Sequence, residues 1–294
     1  MQALKKLLRL LRFSMLNSIS RATRFVAGKS TRALLVDSRQ GLFLVDPEDS
    51  GVGRQLRYTG SYGQEEIDRI LAYTNESTSV LFVGSHIGTL AIPVSKRVRK
   101  VCTIEANPET FQLLKWNLLL NDCANVTAIQ LAASDKEEEL QFLLSRANSG
   151  GSKRMPQVKD PAYFYDRPAM VKVQAARLDD ALSEEVFDVI VMDIEGSEYF
   201  ALKGMSRILA GASHLIVEFL PHHLKNVAGI SVDTLLEPIA AHFDTLYIPS
   251  KLLTAERSQF TSVLARMFER DEEDDGVVFS RSRVPQSARF SVPI

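Results

Sequence analysis

Short apolar runs alternate along the chain with stretches whose apolar residues recur at helical spacing. Val80 to Val83, the run ending at Glu105, Val126 to Gln130, Asp188 to Asp193 and His214 to Phe219 have strand length, and the fourth is apolar enough to be buried on both faces. Between them, Phe111, Leu114 and Leu118 predict a helix opened by Asn107-Pro108, and Tyr199, Leu202, Met205 and Leu209 predict another. This rhythm is that of a parallel βαβ sheet. Gly41 to Val45 reads as a short strand ahead of it, followed by a helix from Gln64. Toward the end come a helix over Ser231 to Ala241 and strands over Asp244 to Ile248 and Gly276 to Ser280, the last after an acidic run, Asp271 to Asp275, read as a solvated turn.

The rhythm breaks from Glu139 to Val173. Leu140 to Leu144 and Met170 to Ala175 read as strands, and the loop between them carries Tyr163, Phe164 and Tyr165. Long structureless loops often cover binding sites, so this one is expected to cover the substrate. Residues 1–60 read as a basic helical segment with a short strand lobe, and residues 61–294 as the ligand-binding domain.

The first βα turn carries the chemistry. Gly84 falls where the strand must turn tightly into a helix, Gly88 permits close approach to the backbone, and Ser85 and His86 lie between them. Glu105 follows Gly84 by about 20 residues, the spacing at which an acid reaches both ribose hydroxyls. The G-x-x-x-G spacing differs from the G-x-G-x-x-G that seats a pyrophosphate. Together these point to a ribose-bearing ligand without phosphates at the turn, S-adenosylmethionine, although a purely structural glycine turn is the competing explanation. Ser134 or Asp135, after the third strand, would reach an adenine amine or form a plain surface turn.

A second cluster, Asp193, Glu195 and Glu198, crowds a glycine turn at the end of the buried strand. Carboxylates at such a place are costly unless they bind something, though Glu198 also suits a helix N-terminus.

Composition changes this picture little. The chain has 294 residues, 45% hydrophobic and 24% charged, with a net charge of -1, so no whole-protein field attracts nucleic acid. Two cysteines make no disulfide framework or zinc pattern, which suits a reducing, cytoplasmic setting, and no metal ligand set is assigned. No apolar run approaches the ~20 residues that span a bilayer. Residues 1–32 lack acids but hold Lys5, Lys6, Arg9, Arg12, Arg21, Arg24, Lys29 and Arg32, with Leu4, Leu7, Leu8, Leu11 and Met15 at helical spacing. A helix packed on the main domain, a peripheral membrane-surface helix and a mitochondrial presequence all fit.

The motifs resemble the FkbM family of S-adenosylmethionine-dependent methyltransferases over roughly Gly41 to Ile248. The resemblance rests on Val83-Gly-Ser-His-Ile-Gly88, Glu105-Ala-Asn-Pro-Glu-Thr-Phe, Arg177-Leu-Asp-Asp and, most specifically, Asp193-Ile-Glu-Gly-Ser-Glu198. It implies a Rossmann-like class I methyltransferase, an α/β fold with a seven-stranded, mostly parallel sheet in the order 3-2-1-4-5-7-6. It also implies Gly84, Ser85, His86, Gly88, Glu105, Asn107, Ser134 and Asp135 around the cofactor, and O-methylation of a small-molecule or glycan acceptor. Phe82 stands where the family has an acid and His86 where it has Asn.

Methyl transfer needs alignment of two substrates and a base. Asp193 is the first choice for the base, with Glu195 and Glu198 orienting the acceptor or holding the turn, and His222 is the second. A catalytically silent binding module and a nicotinamide oxidoreductase stay open as alternatives. Acceptor identity and oligomeric state are not legible.

Overall fold

The computed structural model describes the backbone of residues 2–281 and the side chains of residues 14–281. A helix over Gln2–Ala27 leads into a hairpin of β1 (Leu34–Ser38) and β2 (Gly41–Val45). The core strands follow as β3 (Ser79–Val83), β4 (Lys100–Glu105) and β5 (Val126–Gln130). A second sheet is inserted next, made of β6 (Ala132–Ala133), β7 (Glu138–Leu144), β8 (Lys153–Arg154) and β9 (Ala169–Ala176). The core resumes with β10 (Val189–Met192), β11 (His214–Phe219), β12 (Thr245–Ile248), β13 (Leu253–Glu256) and β14 (Asp274–Ser280).

The main sheet has eight strands in the order β13-β12-β14-β11-β10-β3-β4-β5. From β5 to β11 all pairings are parallel, whereas β14 runs antiparallel to both β11 and β12. Without β13 this is the class I methyltransferase order. The expected seven strands are joined by an eighth because Leu252 takes a left-handed turn (φ 50°) that folds β13 back along the edge of β12.

Apolar side chains cover both faces, as uninterrupted burial along β3 and β10 requires. One cluster unites Leu81, Ile104, Ile190 and Val217 with the helices that carry Leu202, Leu209, Ile239 and Leu264, and the other unites Val80, Phe82, Val101 and Val191 with Ile67 and Ile70. Cys102 is buried in the first. A third cluster joins Phe43, Val45 and Leu56 to Ile87, Ile92 and Leu113, so the hairpin packs directly behind the glycine turn. Asn117, fully buried, clamps this junction: its amide donates to the carbonyls of Ile87 (2.9 Å) and Leu44 (3.2 Å) and accepts from Leu44 N (2.6 Å).

Two expectations are corrected, and the insertion takes a definite form. The helix after Glu198 is two, Glu198–Lys203 and Ser206–Gly211, because Gly204 lies against a neighbouring backbone: a Cβ there would be 1.9 Å from the Ser134 carbonyl oxygen. The insertion between β7 and β9 carries β8 and two single-turn helices, Ser149–Gly151 and Pro161–Tyr163, and its Tyr163 is buried with its ring stacked near His222. The acidic run is not wholly a solvated turn, since buried Asp274 accepts from Ser250 N and Gly276 N, both at 3.0 Å.

The described half of the first helix docks on the body. Arg24 pairs with Asp46 (3.1 Å) and Glu48 (3.6 Å), Asn17 donates to the Tyr165 carbonyl, and Ser50 donates to the Leu16 carbonyl. The side chains of Leu4, Leu7, Leu8 and Leu11 and their basic neighbours lie outside the described residues. No helix among those described is long and apolar enough to cross a membrane.

Candidate active site

Parallel strands bring their carboxyl ends to one edge, and the cleft opens there, between β4, β3, β10 and β11. Its volume is about 220 Å³. At the centre, Gly84 takes φ +86°, and a Cβ on it would fall 1.7 Å from the Asp193 carbonyl oxygen. Asp193 N in turn donates to the Val83 carbonyl at 3.0 Å, and Gly84 N to the Ile104 carbonyl at 2.9 Å. The glycine is therefore required for the strand ends to meet. Gly88, at φ +91°, leaves room for Leu114 and Ile92 behind the turn.

His86 has φ +50°, a left-handed conformation that Asn, Asp and His adopt more readily than most residues. Histidine at the family's Asn position thus keeps the turn. Its backbone N–H donates to Glu105 Oε2 (2.8 Å), and its Nε2 lies 2.7 Å from Ser149 Oγ, which donates to Asp49 Oδ2 (2.9 Å). This chain closes one end of the cleft with the insertion.

Glu105 Oε1 accepts from Asn107 N (2.8 Å) and Thr110 Oγ1 (3.1 Å). Of the roughly four acceptor sites of a carboxylate, three are already taken within the protein. Glu105 therefore builds the turn as well as lining the cleft.

Beyond the strand ends, the acids separate by role. Asp193 and Glu195 line the cleft, whereas Glu198 points inward, its Oε1 accepting from Ile194 N and Gly196 N at 3.1 Å each. Glu195 takes φ +56° and is held from outside: its Oε2 lies 2.6 Å from Lys153 Nζ and 3.3 Å from His223 Nε2. Asp193 and Glu218 line the cleft from adjacent strand ends, and desolvation together with Glu195 and Glu198 pushes both carboxyls well above the usual range. Asp193 keeps an exposed face and Glu218 is half-buried.

Gly84, Ser85, His86, Glu105, Asp193 and Glu195 share the cleft. Other expected site residues lie outside its lining. Asn107 caps the helix Pro108–Leu120, Ser134 Oγ donates to Glu138 (3.2 Å), Asp135 pairs with Lys203 (3.0 Å), and His222 Nδ1 lies 3.2 Å from Glu273 Oε1. Residues not singled out complete it: Glu218 and Glu66, Tyr62, and Arg154, whose guanidinium stacks 3.8 Å over Phe200. Glu218 ends a parallel strand, so the carboxyl-edge rule that selected Asp193 would have found it. Lys153, Arg154 and Tyr62 carry no local signal.

The donor set suits S-adenosylmethionine. Glu105 retains an acceptor site for a ribose hydroxyl, the walls from Ile104, Leu131, Ala132, Leu140 and Phe142 are apolar enough for adenine, and the carboxylates suit a sulfonium.

The family model for the methyltransferase FkbM domain matches residues 83–251. The chain belongs to the FkbM family of S-adenosylmethionine-dependent methyltransferases. It is 30% identical over 162 residues, 53% of its length, to the hexuronic acid methyltransferase AglP of Haloferax volcanii, and spans 62% of that relative, less than two thirds. Among solved structures it resembles methyltransferase FkbM from Methylobacillus flagellatus KT (17% identity, TM-score 0.41, covering 70% of this chain and 44% of that one). It also resembles a TehB-like methyltransferase from Corynebacterium glutamicum (14% identity, TM-score 0.43, covering 78% and 94%).

Proposed function

We propose that the protein transfers the methyl group of S-adenosylmethionine to a hydroxyl of a sugar-like small molecule. The observation that carries this reading is the shared cleft: Glu105, which can take a ribose hydroxyl, and the Asp193 to Glu195 turn, which can receive a proton, face one cavity from neighbouring strand ends. When bound, the methyl donor supplies an electrophilic carbon on a positively charged sulfur.

The protein's part is placement and proton handling. Gly84 and His86 shape the turn that Glu105 fastens from below. Glu195, fixed by Lys153, orients an acceptor hydroxyl, and Asp193 at the cleft floor takes its proton. Alignment of this kind contributes about 7 to 11 kcal/mol to catalysis, and a placed base about 10² to 10⁴-fold. The relative from Haloferax volcanii, named for hexuronic acid, makes a sugar acid the first acceptor to try.

The test incubates the full chain with S-adenosylmethionine and a panel of hexuronic acids and neutral sugars, and follows both S-adenosylhomocysteine formation and the mass of the sugar. A product one methylene heavier that resists mild base, as an ether does and an ester does not, supports hydroxyl methylation. Binding of the donor with no transfer to any acceptor across a broad panel favours the silent module that Phe82 invites.

A further inference from the structure

Beyond the turn and the ribose acid, the cleft holds Asp193 and Glu218 side by side, one residue past the paired Met192 and Val217 on adjacent parallel strands. Two carboxyl groups at neighbouring strand ends in one cleft repel when both are ionised, which favours a single proton held between them. We propose that Asp193 and Glu218 act as one proton-holding pair, which surrenders its proton when the cationic methyl donor binds and regains one from the acceptor hydroxyl during transfer. The inference rests on the methyl-donor reading above and adds Glu218 to the reacting groups.

The surroundings explain why the pair is protonated when the cleft holds no cation. Glu195 and Glu198 face it from the turn after β10, Glu66 from the helix Gln64–Leu71, and Tyr62 from the loop before that helix. Two cations stand near it among the described residues: Lys153 from β8, whose ammonium is engaged by Glu195 at 2.6 Å, and Arg154, which shares the cleft lining and stacks over Phe200. The acids around the pair therefore favour a proton on it. A sulfonium in the cleft supplies the positive charge that the proton had supplied.

The charge balance closes over one turnover. The new O–C bond forms as the S–C bond breaks, sulfur keeps the electron pair and becomes neutral, and the hydroxyl proton passes to the pair. The pair is thus ionised when a base is needed and neutral again when the uncharged thioether product leaves. Donor and product are distinguished by charge at the same site.

Calorimetry on the full chain tests this without an acceptor. Titrations with S-adenosylmethionine and S-adenosylhomocysteine are run at about pH 6.5, where the amino group of either ligand is protonated, in two buffers of different ionisation enthalpy. The expected result is release of about one proton with the first ligand and none with the second, so that the ratio of the two affinities rises about tenfold per pH unit. Glu218→Gln is expected to abolish the proton release that accompanies S-adenosylmethionine binding, with Asp193→Asn as a second removal should one variant fail to fold. Equal proton counts for the two ligands, or release that persists in a folded variant, overturns the inference alone. Absence of binding by either ligand overturns the methyl-donor reading as well.

Discussion

The carbonyl oxygen of Asp193 occupies the place, 1.7 Å away, where Gly84 would carry a Cβ. The two signature turns of the chain are therefore one contact: the glycine turn after β3 exists in its present form because the acidic turn after β10 lies against it. Gly84→Ala adds a clash with backbone to a positive φ, and is expected to destabilise the fold by more than about 2 kcal/mol. Urea unfolding measures it, and a variant with wild-type stability would show that the two turns separate freely.

Glu105→Ala should cost stability as well as affinity. Sequence spacing presents Glu105 as a ribose acceptor alone, but its carboxylate also takes His86 N, Asn107 N and Thr110 Oγ1. Leaving buried donors unpaired costs about 1 to 3 kcal/mol. A lowered melting temperature together with at least about tenfold weaker binding of S-adenosylhomocysteine is the expected pair of results, the second corresponding to loss of about 1.4 kcal/mol. Loss of affinity with unaltered melting would assign Glu105 to the ligand only.

Lys153 and Glu195 should behave as a coupled pair. Both are largely shielded, so Lys153→Met leaves a carboxylate without its cation and costs about 3 to 5 kcal/mol, whereas Lys153→Met with Glu195→Gln recovers much of the loss. A double-mutant cycle by chemical unfolding reads the coupling, and strictly additive effects would mean that the 2.6 Å contact holds nothing together.

The pH dependence of stability follows from the sign of the shifts. Asp193 and Glu218 have folded pKa values raised above their unfolded ones, so the native state binds more protons and stability falls as pH rises from the unfolded carboxylate value toward the folded one. Burial depresses His214 to about 4, which acts oppositely, raising stability as pH rises, but only up to the ordinary histidine value of about 6.5. Without ligand, the pair's contribution should fade as pH rises above the ordinary carboxylate range, and Glu218→Gln should lessen the resulting fall in melting temperature. Identical slopes for the two proteins would remove the pair as its cause.

Much of the fold was legible because its signals are local. Five core strands read as apolar runs ending at Val83, Glu105, Gln130, Asp193 and Phe219, and their order followed from the family motifs. What escaped depends on distant contacts. The break falls at Gly204, where the Ser134 carbonyl lies too close for any side chain, a contact that no helical periodicity records. Likewise β13 is an edge strand whose pairing depends on one left-handed residue, Leu252.

At the site, Gly84, Glu105 and Asp193 were visible through their places at strand ends. Lys153 and Arg154 come from an insertion with no motif, and only its folding as a second sheet brings them to the cleft. Ser134, Asp135 and His222 also lie near strand ends in sequence, and in the structure their side chains turn to Glu138, Lys203 and Glu273.

The central claim is that the cleft between Gly84, Glu105 and Asp193 holds the methyl donor. Calorimetric titration of the full chain with S-adenosylhomocysteine tests it most directly. Saturable binding at one site per chain, weakened by Glu105→Ala, is the predicted result. Absence of binding up to millimolar ligand by correctly folded protein would contradict it.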